Sequence, residues 1–300
     1  MRYDKWLSKN TASLRGSTVA ISGSTGGLGK HICRYLAYLG ASLILLDRNR
    51  ERSEANKAAL ESEFPGVEVS LIRLDLVDIN SVREATDRLK EIEPDFLIHN
   101  AGAYSIPRCV STSGYDPVFT ITCASPYYRV RELMPTLRKK QGRVVVVGSI
   151  AHNYSRINEA DIDFADVKKA SKVYGNAKRF LMFSLYELFE NESEATLSVT
   201  HPGITFTNIT AHYPKLVFAL IKHPMKVIFM KAEKAALSIV KGLFDRTEYH
   251  TWYGPCVFDV WGLPSKKKLT TCPTSESARI AEIAEKVYLD LKTKIDTATK

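Results

Sequence analysis

Ser22-Gly23-Ser24-Thr25-Gly26-Gly27-Leu28-Gly29-Lys30 is the stretch on which the reading of the fold turns. It follows the apolar run Thr18-Val19-Ala20-Ile21 and opens an apolar-periodic segment that reaches Leu39 and stops at Gly40. A buried strand, a glycine turn and a helix are therefore expected in immediate succession. Glycines let the backbone turn tightly and approach a ligand, and a helix N-terminus offers free N–H groups and partial positive charge. The spacing Gly23-x-x-x-Gly27-x-Gly29 in that context predicts a pyrophosphate site.

The same alternation continues outward from this turn. Strands are expected at 42–46, from 67 to the approach of Asp75, and at 95–99, 143–149 and 196–202. Helices are expected at 51–63, 79–90, 117–139 and 168–190. Strands written as continuous Val, Ile and Leu are buried on both faces, so the expected fold is α/β, a three-layer doubly wound parallel sheet in a single domain. After residue 203 the alternation loosens. Residues 211–241 carry two apolar clusters among six lysines and one acid, and helices follow at about 231–243 and 275–294.

Asp47 ends the second strand, 18 residues after Gly29. A carboxylate there can bind the ribose hydroxyls of NAD, whereas the adjacent Arg48 can accept the 2′-phosphate of NADP. NAD is the favoured expectation, with NADP possible. Asn100-Ala101-Gly102 puts small residues after the fourth strand, where open α/β sheets bind flat ligands.

The composition narrows the function classes. Lys and Arg total 42 against 33 acids, a net charge of +9, with 45% hydrophobic and 25% charged residues. That is globular rather than disordered composition. Five cysteines without a CxxC pair argue against a disulfide scaffold or a zinc site, and no metal is expected. The polar start has no apolar core of a signal peptide, and no run of about 18 apolar residues is present. A cytoplasmic location with reduced thiols is the expectation. Lys266-Lys267-Lys268 is expected in an exposed loop, and without a binding motif it predicts no nucleic-acid partner.

Taken in order, these elements resemble the short-chain dehydrogenase/reductase family in its non-extended branch, over about residues 16–260. The matching residues are the glycine turn, Asp47, Asp75-Leu76, Asn100-Ala101-Gly102, Ser149, Tyr174-Gly-Asn-Ala-Lys178 and His201-Pro-Gly-Ile-Thr-Phe-Thr207. The resemblance implies a dinucleotide bound by Gly23, Ser24, Thr25, Gly27, Leu28, Gly29, Asp47, Arg48, Asp75, Leu76, Asn100, Ala101, Gly102, Tyr174, Lys178, Pro202, Gly203, Ile204, Thr205 and Thr207. It implies that Tyr174 exchanges a proton with the substrate oxygen, Ser149 donates a hydrogen bond to it, and Lys178 lowers the phenol's pKa and holds the ribose. Four residues apart on a helix, Tyr174 and Lys178 share a face. A second such pair, Tyr288 and Lys292, has no serine-bearing strand before it and is expected on a solvated helix surface.

The chain departs from the family at one place. Within the family's F-x-x-N-x-x-G pattern, Thr122 stands where asparagine is usual and Ser125 where glycine is. The long interval between Ser149 and Tyr174 resembles the retinol-dehydrogenase and protochlorophyllide-reductase group, as do Gly254-Pro255 and Gly262-Leu-Pro264. That implies a bulky apolar alcohol or ketone, steroid-, retinoid- or lipid-like. The alternative is a dinucleotide-binding redox sensor or scaffold with weak catalysis. The resemblance further implies an N-terminal arm at 1–16, a substrate cover at 204–245 and a C-terminal extension at 262–300. It also implies membrane contact that is at most peripheral, and a homodimer or homotetramer joined through the helices at 117–139 and 168–190.

Overall fold

A computed structural model describes residues 3–107, 111–205 and 229–298. Helix α1 (Asp4–Asn10) precedes a regular alternation of β1 (Thr18–Ser22), α2 (Gly27–Tyr38), β2 (Ser42–Asp47), α3 (Arg50–Glu63), β3 (Val69–Arg73), α4 (Ile79–Ile92) and β4 (Phe96–His99). Then come a short α5 (Pro117–Phe119), a π-helical turn (Thr120–Ala124) and α6 (Ser125–Lys139). β5 (Arg143–Val147), a 3₁₀ turn (Ile150–Tyr154), α7 (Ala170–Glu190) and β6 (Thr196–Thr200) follow. The chain closes with α8 (Ala232–Phe244), β7 (Thr251–Val257), β8 (Trp261–Lys268) and α9 (Thr274–Ala298).

The strand order is β3-β2-β1-β4-β5-β6-β7-β8. Every pair from β3 to β7 is parallel, and β8 adds antiparallel to β7. Order reverses between β1 and β4, so the ends of those strands form the crevice where such sheets take ligands. The strands alternate between two apolar cores. Ala20, Ile44, Leu97, Val144 and Val146 face α4, α6, α7 and α9, while Val19, Ile21, Leu43, Ile98 and Val145 face α2 and α8. This two-sided burial is why the strands read as unbroken aliphatic runs.

The structure adds to some expectations and corrects others. The N-terminal arm is docked, because Leu7 of α1 and Leu14 are buried in the second core. Burying the Leu7 side chain contributes roughly 1.5–3 kcal/mol toward holding this seven-residue helix against the domain. Lys266-Lys267-Lys268 belongs to the edge strand β8, where Lys266 pairs with Glu248 and Lys267 with Asp259. Charged residues and Pro264 on this strand blunt the edge against further pairing. Within the expected cover at 204–245, α8 packs Ala236, Leu237, Ile239 and Val240 into the sheet beside α2; residues 206–228 lie outside the described residues.

A further difference concerns the expected subunit surface. α9 of the same chain lies against α6 and α7 and buries Ile280, Ile283, Ala284, Val287 and Leu291 there. Arg131 donates to Glu285 at 2.9 and 2.6 Å, and Tyr288 and Lys292 both donate to Glu132, at 2.8 and 2.7 Å. The Tyr288/Lys292 pair is therefore part of this contact and not a solvated helix face. The surface expected to join two subunits is in large part filled by the chain's own C-terminal helix.

Candidate active site

The glycine turn forms as its spacing requires. Gly23 has φ +71, a left-handed conformation that glycine adopts without strain, and its carbonyl accepts from Gly26 N at 3.2 Å. A Cβ on Gly29 would lie 2.1 Å from that carbonyl, so no other residue fits. Asn100 Nδ2 donates to the carbonyls of Ser22 and Gly23 at 3.1 and 3.0 Å, and Ala101 N donates to Ser22 Oγ at 3.2 Å. Asn100 and Ala101 thus hold the turn in shape, leaving the amides of the first turn of α2 aimed into the crevice. The turn fits a dinucleotide pyrophosphate.

Asp47 stands at the end of β2 but is turned inward. It is 7% exposed and accepts from Ser24 Oγ, from Thr25 N and Oγ1 at 3.4 Å, and from Ser53 Oγ at 3.0 Å. The carboxylate binds the glycine turn to α3, whereas its neighbour Arg48 is exposed. The expected contrast between the two is thereby altered, because the acid already has internal partners and the base has none among the described residues. Asp75 follows β3, its carboxylate accepting from Val77 N at 3.3 Å, and Leu76 is buried. Pro202, Gly203 with φ +79, Ile204 and Thr205 follow β6, and Thr205 bridges to Met230. Thr207 lies outside the described residues.

Ser149, Tyr174 and Lys178 come together beyond the end of β5. Ser149 caps the 3₁₀ turn, its Oγ accepting from Ala151 N at 3.2 Å, and its hydroxyl also hydrogen-bonds Tyr174. Lys178 is 2% exposed; its Nζ donates to the Val147 carbonyl at 2.5 Å and lies 5.8 Å from the centre of the Tyr174 ring. A Cβ on Gly102 would sit 3.6 Å from the same Nζ, so the Asn100-Ala101-Gly102 turn and the lysine border one space. Burial brings Lys178 down to about 8. Burial also pushes Tyr174 up to about 12, an effect that hydrogen bonding to Ser149 opposes. Burial thus favours the neutral phenol, and any positive charge placed nearby favours its ionised form.

Thr122 sits at the centre of the π-helical turn, fully buried, and its Oγ1 accepts from Ala103 N at 3.4 Å. A wide turn at this point is a common local device at functional sites. Two neighbours carried no signal in the sequence. Tyr104 packs edge-on against Tyr174 with ring centres 5.5 Å apart. His152 is buried behind Ser149. His201 is also structural: it stacks on Trp252 at 4.8 Å and donates from Nε2 to the Asp259 carbonyl at 3.0 Å. Among the described residues, no cluster of His, Cys, Asp and Glu could hold a metal ion.

The comparisons with known proteins fit this geometry. The family model for short chain dehydrogenases matches residues 17–162. Human retinol dehydrogenase 14 is 30% identical over 271 residues, covering 81% of this chain and 79% of that protein. The chain belongs to the short-chain dehydrogenase/reductase family. Cattle dehydrogenase/reductase SDR family member 13 is also 30% identical, covering 75% of this chain. The alignments span 61% of that protein and 64% of mouse retinol dehydrogenase 14, less than two thirds of either. Among solved structures, an uncharacterized protein from Mycobacterium paratuberculosis superposes with a TM-score of 0.69 at 23% identity over 95% of both chains. A Sphingobium yanoikuyae short-chain dehydrogenase in complex with NADPH gives 0.60 at 22% identity, over 77% of this chain and 86% of that one. These structures share the family's fold with this chain.

Proposed function

We propose that this short-chain dehydrogenase/reductase is an NAD(P)-dependent oxidoreductase that interconverts a secondary alcohol and a ketone. The observation that carries the reading is the convergence of Ser149, Tyr174 and Lys178 beside the Asn100-Ala101-Gly102 turn and the glycine turn. A nicotinamide held at the glycine turn and beside Lys178 would supply the hydride chemistry and, when oxidised, positive charge. Ser149, with its oxygen already engaged by Ala151 N, turns its O–H toward the substrate oxygen. Tyr174 takes the hydroxyl proton during oxidation and gives one back during reduction. Lys178, held by the Val147 carbonyl, presents its ammonium to the phenolate and to ribose hydroxyls. Thr25, Leu28 and Asp75 would border the dinucleotide along the strand ends, with buried Ser24 and Leu76 supporting them from beneath.

The substrate we favour is bulky and apolar, as the names of the retinol dehydrogenase relatives suggest. We read residues 1–300 as one domain, with 204–245 containing the substrate cover and 262–300 the extension. Among the described residues no helix is long and apolar enough to cross a membrane, and a cytoplasmic location is part of this proposal. The weakly catalytic sensor is the less favoured reading, because a pure binder has no use for all three polar side chains.

A panel of retinol, hydroxysteroids and simple ketones, followed by the absorbance of the reduced nicotinamide, tests the activity. Tyr174→Phe is expected to lower kcat by about 10²–10⁴-fold, the usual contribution of positioned acid–base catalysis. NADPH affinity, measured by fluorescence titration, should be unchanged. Turnover of the variant at the wild-type rate would defeat the assignment.

A further inference from the structure

We propose that His152 is a positioning residue for Ser149, and that it links the catalytic end of β5 to the C-terminal segment through Thr271. The ring is fully buried, with Nδ1 2.6 Å from the Ser149 carbonyl and Nε2 2.7 Å from Thr271 Oγ1. A carbonyl can only accept, so Nδ1 carries the proton; Nε2 is then the acceptor and the Thr271 hydroxyl donates to it. The geometry therefore fixes one tautomer. The Ser149 carbonyl accepts a second bond from His152 N at 3.1 Å. With Ala151 N on its Oγ, Ser149 is held at both oxygens by its own turn.

The ring cannot swing away. Phe183 and Trp252 meet it edge-on, with ring centres at 5.8 and 5.6 Å. Arg179, also fully buried, donates from Nη1 to the His152 carbonyl at 3.3 Å and from Nη2 to the Thr271 carbonyl at 2.9 Å. Its guanidinium is in turn paired with Glu276, in the first turn of α9, at 2.7 and 2.6 Å. The charged groups facing the imidazole are Arg179 and Arg156, and burial dominates over both in bringing it down to about 4. The ring is thus a neutral two-point brace between the serine and residue 271.

This rests on Ser149 acting as the substrate's hydrogen-bond donor, and the experiment separates the two ideas. Long-range nitrogen–proton NMR on protein carrying ¹⁵N-histidine should show one buried neutral ring protonated at Nδ1. That signal should vanish in His152→Asn, and Thr271→Val should shift its Nε2. Hydrogen exchange of the Ala151 amide should rise at least tenfold in His152→Asn. On the best substrate of the alcohol and ketone panel, Thr271→Val should lower kcat about tenfold while KM and NADPH affinity hold. An Nε2-protonated ring, or wild-type kcat and Ala151 exchange in both variants, would overturn the brace. If nothing in the panel is turned over, the oxidoreductase reading fails and the two NMR results decide this one.

Discussion

Arg129 offers a test in which the structure supplies both the sign and the size. It lies on α6 with no exposure, and none of its three guanidinium nitrogens has a hydrogen-bond partner among the described residues. His99, at the end of β4, is likewise buried with both ring nitrogens unpartnered, and the nearby guanidinium and Lys178 add to burial in holding it far below its ordinary range. Burial brings Arg129 down to about 9. A free guanidinium titrates roughly three or more pH units higher, and each pH unit corresponds to ~1.4 kcal/mol. Keeping the charge at neutral pH therefore costs on the order of 4–5 kcal/mol. Arg129→Met removes the charge and retains most of the apolar contact. Allowing for the small gap left behind, a net gain of about 2–3 kcal/mol is expected. For a domain of this size that is a rise in Tm of roughly 3–5 °C.

The pH dependence sharpens the same test. Between pH 9 and the unfolded guanidinium's own range, the unfolded chain binds the proton that the folded one has released. Wild-type stability contributed by this group therefore rises with pH. The advantage of Arg129→Met should be complete below about pH 8 and shrink steadily above pH 9. Scanning calorimetry on both proteins from pH 7 to 10 measures it. A lower Tm for Arg129→Met at pH 7 would refute the reasoning, because it would mean that the guanidinium holds a partner that stabilises it.

Three further outcomes are expected. Gly29→Ala forces a Cβ to 2.1 Å from the Gly23 carbonyl, so the turn must open; Tm should fall by an amount corresponding to at least 1–3 kcal/mol and NADPH titration should show no saturable binding. Arg48→Ala should weaken NADPH binding by about tenfold or more and leave NADH nearly unchanged, since a hydrogen bond to a charged group is worth ~1.5–3 kcal/mol; equal losses for both cofactors would show that Arg48 does not meet the 2′-phosphate. Because α9 lies across α6 and α7, light scattering behind size exclusion should return the mass of one chain, and a dimer there would place the subunit contact on another surface.

The order of strands and helices was legible because two-sided burial writes itself as unbroken aliphatic runs, and the glycine turn because backbone sterics allow only glycine at Gly29. The hairpin of β7 and β8 was not. β8 sits at the sheet edge with charged and half-exposed residues, so it carries no apolar run, and its place is set by pairing with β7. The docking of α1 was hidden because a single buried leucine is too short a signal. Asp47 was read correctly as the residue ending β2, yet the partners that turn its carboxylate inward come from Ser24 and Ser53, 23 and 6 residues away in sequence.

By itself the sequence indicated the alternating sheet and the glycine turn, which depend on periodicity and local sterics, and Ser149, Tyr174 and Lys178 were singled out by their order along a chain that resembles the family. Only the tertiary structure decided that α9 covers α6 and α7, that the Asp47 carboxylate is turned toward the glycine turn, that Arg129 is buried with no hydrogen-bond partner among the described residues and that His152 hydrogen-bonds the Ser149 carbonyl and Thr271. Those facts depend on contacts between residues far apart in the chain, which no local pattern encodes.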